Sequence, residues 1–272
     1  MPKERFHMLL TEQSLKLSGL LPGEGSEERS AVLLGSVLPD IFFYDLPNFR
    51  WSATGVSLHR YEGEEGFRLC ASWLKAKPLL KYTTVFYCLL GVASHLLTDG
   101  FWHPSINRES FSGSEPCRKY RLPPQSCHHW LEGQLEALWI PLLAPPETYR
   151  TRLKAFREGT PPVPACLEFY SDFLSFAGFR PVPSVSRMRR CLFWQTTLLR
   201  AFTDPRFTRW QERLLTERLT KRLGTLLVPP PGSGIQIVDG RRPAASEGRD
   251  PATASFLASS VIYLSERLRE LF

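Results

Sequence analysis

Residues 91–104 read GVASHLLTDGFWHP, and within them His95, Asp99 and His103 recur every four residues. Side chains four apart on an α-helix lie one above another on the same face, so a helix here presents two imidazoles and a carboxylate in one row. The surroundings of His95 are apolar. A neutral ring there needs a partner, and an ionised Asp99 one turn later is costly without a cation. A metal ion satisfies both groups, and so does a hydrogen bond between them; the spacing alone leaves both open. Pro104 disfavours the α conformation at His103, so the helix is expected to end there.

Outward from this stretch the dominant pattern is helical, with few alternating runs long enough for strands, and the fold expected is all-α, a single multi-helix bundle with long loops. Helices are expected over about 3–17, 27–37, 63–76, 80–103, 126–143, 147–157, 164–176, 184–202, 205–222 and 253–270. Pro39 closes the second of these. Residues 38–62 hold prolines, glycine and aromatics without a lasting period and read as a long ordered loop; residues 104–125 read as a second one. The organisation expected is a helical domain over 1–227, a flexible linker or loop over 228–253, and a C-terminal helix over 254–272 that docks on the bundle.

Of the 272 residues, 43% are hydrophobic, enough for a sizeable core and incompatible with a disordered chain. The start of the chain mixes charges into a short apolar run with no small-residue cleavage site, and no run of eighteen apolar residues follows, so a cytoplasmic protein is expected, with peripheral membrane contact as its closest approach to a bilayer. The six cysteines, Cys70, Cys88, Cys117, Cys127, Cys166 and Cys191, lack the close pairing of a zinc knuckle or redox dithiol and are expected as reduced thiols. The net charge of +7 favours anionic partners such as phosphate esters, nucleic acid or an acidic lipid surface. Much of the excess, from Arg187 through Arg218, falls on expected helices, where a solvated face is its ordinary meaning.

All six histidines lie in the first half of the chain. Zinc takes imidazole nitrogen and carboxylate oxygen, and catalytic zinc sites keep one position open. Four groups of such ligands occur: Asp40 after Pro39, His59 in the same irregular segment, the row His95, Asp99 and His103, and CHHWLEGQLE, where His128 and Glu132 are again four apart. The series from RFHML through LLGSVLPD, SLH, GVASHLLTDGFWHP and HHWLEGQLE resembles the zinc-dependent phospholipase C family, with its phospholipase C and glycosylphosphatidylinositol-specific phospholipase D relatives, in the order of ligand types over well over a hundred residues.

The resemblance implies an α-helical bundle that gathers two to three zinc ions. It implies metal ligation by His7, Asp40, His59, His95, Asp99, His103, His128 and Glu132, with Asp99 bridging two ions and Asp40 doubling as the catalytic base. His129 is then a neighbour, and Glu136 is placed to orient a ligand. Secreted members use a processed N-terminal tryptophan as a further ligand; this chain begins MPKERFH, so the position near His7 is expected to be completed differently. The activity implied is hydrolysis of a phospholipid or other anionic phosphodiester, with peripheral contact to an anionic membrane. The alternatives are a zinc-dependent nuclease of the single-strand type and a non-catalytic, metal-stabilised interaction module. Phe42, Phe43, Tyr44 and Trp51 are candidates for the wall of an apolar substrate site, although such aromatics also pack loops onto cores.

Overall fold

A computed structural model describes residues 4–113, 115–143, 156, 160–202, 210–216, 224, 226 and 251–272. Their helices are α1 (Glu4–Ser18), α2 (Glu27–Gly35), α3 (Ser52–Leu58), α4 (Glu64–Ala76), α5 (Thr84–Ser112), α6 (Glu115–Lys119), α7 (Pro124–Leu143), α8 (Pro162–Phe176), α9 (Val185–Phe202), α10 (Gln211–Thr216) and α11 (Pro251–Arg269). Short 3-10 turns span Leu38–Tyr44, His59–Tyr61 and Pro78–Leu80. No strand occurs among the described residues, and the fold is all-α.

The chain falls into two compact units. The larger comprises His7–Phe101, Glu147–Thr197 and Ser260–Phe272, and the smaller Met1–Phe6, Trp102–Pro146 and Leu198–Ser259. In the larger unit the first part of α5 is the core: Phe86, Cys88, Leu89, Leu90, Val92, Ala93, Leu96 and Leu97 are all fully buried. α5 is also long and apolar enough to cross a membrane by length and composition, but 72% of its most apolar window is packed inside the protein.

Two glycine pairs fix what packs on α5. A Cβ on Gly91 would lie 2.1 Å from the Val32 carbonyl oxygen, and one on Gly35 2.0 Å from that of Cys88, so α2 and α5 cross with their backbones in contact. A Cβ on Gly100 would lie 2.2 Å from Gly63 Cα, and the Gly63 N–H donates to the Leu96 carbonyl at 2.7 Å. Gly63 also has φ +74, a conformation glycine alone adopts without strain. The segments leaving α2 and entering α4 are thereby held against the turns of α5 that flank His95 and Asp99.

α2 starts at Ser26, whose hydroxyl accepts from the Arg29 N–H at 3.1 Å, with Glu27 and Glu28 in the first turn complementing the helix dipole. The turn after it is pinned at Asp45, which accepts from the Trp51 N–H at 3.0 Å and pairs with Arg187. Burial acts to raise the Asp45 pKa, but the Arg187 and Trp51 hydrogen bonds outweigh it and hold the carboxyl below its usual value. Residues 260–272 lie on α4 and α5: Tyr263 donates to Glu64 at 2.8 Å, Arg267 pairs with Glu64 and covers the Phe67 ring at 4.4 Å, and Phe272 meets Phe86 at 4.9 Å.

Several expectations are corrected. Residues 38–62 are not a loop; they hold two 3-10 turns and α3. Each is seven residues or fewer, and three residues per turn leaves no 3.6-residue period to detect. Nor does Pro104 end its helix: α5 runs to Ser112, so residues 104–125 are not a long loop, and α6 and the start of α7 occupy most of the remainder. Proline in a helix costs about 3 kcal/mol. Past Pro104, however, the buried row continues at four-residue steps through Trp102, Ile106 and Ser110, with Trp102 edge-on to Phe6 at 5.2 Å. Burying a large apolar side chain such as Ile106 contributes about 1.5–3 kcal/mol, comparable to that cost.

Cys117 and Cys127 form a disulfide, against the expectation of reduced thiols, while Cys70, Cys88, Cys166 and Cys191 are free and buried. The bend between α6 and α7 brings their Cα atoms to 5.6 Å, within bridging range, which a separation of 10 in sequence could not reveal. Of the helix expected over 147–157 only Phe156 is described, the linker residues 228–250 lie outside the described residues, and of the helix expected over 205–222 the described part is Trp210 and α10.

Candidate metal centre

In the larger unit α1 contributes His7, the turn after α2 Asp40, the turn after α3 His59, and α5 both His95 and Asp99. His59 Nε2 stands 3.0 Å from Asp40 Oδ1 and 3.3 Å from Asp99 Oδ2. His95 Nε2 stands 3.2 Å from the same Asp99 oxygen and 3.4 Å from His59 Nε2. Four tetrahedral ligands about 2.0–2.1 Å from zinc would stand about 3.3 Å from one another. The separations from His59 and the His95–Asp99 pair match a single zinc position in spacing, while His95 Nε2 stands farther from Asp40 Oδ1, at 4.0 Å.

The protonation of the rings gives an independent test of fit. His95 Nδ1 faces the Ser36 carbonyl at 2.8 Å and His59 Nδ1 faces the Gly55 carbonyl at 2.7 Å. A carbonyl only accepts, so each neutral ring carries its proton on Nδ1 and turns the lone pair of Nε2 inward. Two lone pairs and two carboxylate oxygens then face one another with no proton donor among these four atoms. In water-poor surroundings such a set is stabilised by a cation. The residues fit zinc.

Asp99 also reaches the other way. Its Oδ1 is 3.3 Å from His7 Nε2, and the His7 ring stacks on that of His95 at 3.9 Å. Its two oxygens thus face different histidines, the arrangement of a bridging carboxylate.

The smaller unit holds a second set, with His103 from the far part of α5 and His128 and Glu132 one turn apart on α7. His128 Nε2 is 2.7 Å from Glu132 Oε1, and His103 Nε2 is 3.4 Å from the same oxygen. His128 Nδ1 lies 2.9 Å from Asn107 Oδ1, which again turns Nε2 inward as the ligand atom. Three protein ligands leave a position open for water or substrate.

Each residue expected as a ligand thus lies in a cluster of candidate metal ligands in one unit or the other. His129 points its Nδ1 at Glu132 Oε2 from 3.6 Å, and burial holds its pKa below the usual histidine value. Glu136 pairs with Arg5; burial pushes its carboxyl up to about 7 against the pull of Arg5. Of the four aromatics, Phe42 and Tyr44 are core residues, Phe42 stacking on Tyr170 at 6.1 Å, so they form no substrate wall. Trp51 lies under Arg50, and Phe43 stands 5.3 Å from the His59 ring.

Sequence reasoning missed Glu62, whose carboxylate comes within 4.8 Å of a ligand atom of Asp99. The signal was present: His59 and Glu62 are three apart, and three residues make one turn of a 3-10 helix, so they emerge on the same side. It also missed Ser36, Gly55 and Asn107, which act through a carbonyl or amide oxygen and carry no ligand signature.

No curated protein and no solved structure matches the chain. The sequence model of zinc dependent phospholipase C does match, over residues 6–147, and that span holds all eight candidate ligands and more than half of the protein: the chain belongs to the zinc dependent phospholipase C family.

Proposed function

We propose that this protein is a zinc-dependent phosphodiester hydrolase that cleaves phospholipid-like substrates in the phospholipase C manner, with two to three zinc ions. The observation that carries the reading is the convergence of His59 and His95 on Asp99 Oδ2 at 3.2–3.3 Å, with Asp40 Oδ1 3.0 Å from His59 and 4.0 Å from His95. Bound zinc would supply a lowered water pKa and positive charge for the phosphodiester oxygens. His7, Asp40, His59, His95 and Asp99 would hold the larger set, and His103, His128 and Glu132 the open one. Asp40, fully buried, takes the proton of the attacking water, because a carboxylate in contact with that water is placed to do so. The hydrogen bonds at Ser36, Gly55 and Asn107 fix the imidazoles, so no reorganisation is needed when charge develops.

Metal analysis of the purified protein is expected to find two to three zinc ions per chain; a metal-free chain that stays metal-free on zinc addition would overturn the reading. A panel of a phosphocholine ester, a glycerophosphodiester and single-stranded DNA, each assayed beside Asp99→Asn, separates lipase from nuclease. Turnover of the phosphocholine ester that Asp99→Asn abolishes is the expected result.

A further inference from the structure

We propose that the tip joining α4 to α5, residues 75–82, docks this protein onto an anionic phospholipid bilayer. The tip reads KAKPLLKY, with three lysines and no carboxylate. Leu79 at its apex is 94% exposed and Tyr82 62% exposed, and Lys75 and Lys77 are exposed beside them. An apolar side chain presented almost entirely to water on a projecting turn has no role in the core of this chain. Leucine and tyrosine ringed by lysines is the composition of an interfacial anchor: the apolar tip enters the headgroup region while lysine heads meet lipid phosphates.

The tip is preformed. Backbone hydrogen bonds run from Leu80 N to Lys77 O, Lys81 N to Pro78 O and Thr83 N to Leu80 O, at 3.1, 3.3 and 3.1 Å. Tyr82 is held at φ +66, a conformation that costs a non-glycine residue energy and persists only where its surroundings enforce it. The Tyr82 ring meets Phe86 at 5.8 Å and Phe272 at 6.0 Å, and Lys81 donates to the Phe272 carbonyl. The described carboxylates against the tip and its flank are Asp172, 3.0 Å from Lys77, and Glu27, which accepts from Thr84 at 3.1 Å. Lys75 is exposed to solvent. A rigid apex loses little conformational freedom on docking, which favours binding by a small surface.

The tip lies eleven residues along α5 from His95, roughly 17 Å of helix. Docking there tethers the molecule and leaves the metal ligands untouched. The proposal rests on the phospholipase reading for its choice of a lipid rather than a protein surface, and its test is independent of catalysis.

Zinc-loaded full-length protein and its Asp99→Asn variant are sedimented with vesicles of phosphatidylcholine containing phosphatidylserine and with vesicles of phosphatidylcholine alone. Both proteins are expected to bind the anionic vesicles, more weakly as salt rises. Leu79→Asp is expected to weaken binding by about tenfold or more, and Lys75→Glu by about fivefold or more. Hydrolysis of a soluble phosphocholine ester by both tip variants should equal that of the wild type, which also shows that they fold. Equal vesicle binding by Leu79→Asp and wild type would overturn the proposal, as would a shift from dimer to monomer caused by Leu79→Asp without lipid, which would make the tip a contact between copies. Ester hydrolysis without vesicle binding sinks the tip alone, and vesicle binding without turnover of any phosphodiester sinks the phospholipase reading.

Discussion

Asp99 is the residue on which the larger set turns, since Oδ1 faces His7 while Oδ2 faces both His59 and His95. Replacing it with asparagine puts an amide N–H₂, a donor, among atoms that all accept. Asp99→Asn is therefore expected to lower zinc affinity by more than the roughly 10–100-fold typical of losing a supporting partner, as read by zinc stoichiometry at limiting metal. Glu136 makes a prediction of a different kind. Burial raises its folded pKa to about 7, so the protonated form is the one the fold favours. Its contribution to stability is complete below the ordinary carboxyl pKa and is lost as pH rises through about 7. The stability of Glu136→Gln relative to wild type should accordingly increase between pH 5 and 8, by roughly 1–3 kcal/mol, in thermal melts of metal-free protein. Zinc held by Glu132, one turn away, favours the carboxylate, so the same comparison on loaded protein should show a smaller rise.

Among the elements, α5 acts as the spine, and its glycines do as much for the site as its ligands. Gly91 sits one turn before His95 and lets α2 approach until the Ser36 carbonyl meets His95 Nδ1; Gly100 follows Asp99 and lets Gly63 in, which brings His59 and Glu62 alongside. Gly91→Ala adds a carbon 2.1 Å from the Val32 oxygen, which lies on backbone and has no side-chain rotamer by which to yield. The expected cost is about 1–3 kcal/mol in chemical denaturation, accompanied by reduced zinc content as the Ser36–His95 hydrogen bond opens. A Gly91→Ala protein with wild-type stability and full zinc content would contradict this account of the crossing. The helical period located α5 and α7 in the sequence because both are long and carry their ligands four apart. It could not locate the turns bearing Asp40 and His59, whose three-residue repeat is over within one or two turns.

At the scale of the whole molecule, the fold brings together buried acceptors that a cation stabilises, so bound metal and stability are expected to be linked. Removing zinc with a chelator is expected to lower the melting temperature by about 5–15 °C, and re-adding zinc to restore it; melting that ignores the chelator would contradict the linkage. The sequence by itself determined the all-α class, because helical period is a local property written at fixed spacings, and its resemblance to a family named eight candidate ligands. What it could not determine depends on segments far apart in the chain. The continuation of α5 past Pro104 was decided by the packing of Trp102 and Ile106, and the Cys117–Cys127 bridge by a bend that places two distant Cα atoms within reach. The inward turn of each Nε2 was decided by carbonyls at Ser36 and Gly55, whose backbone atoms are the same in every residue and leave no mark in a sequence.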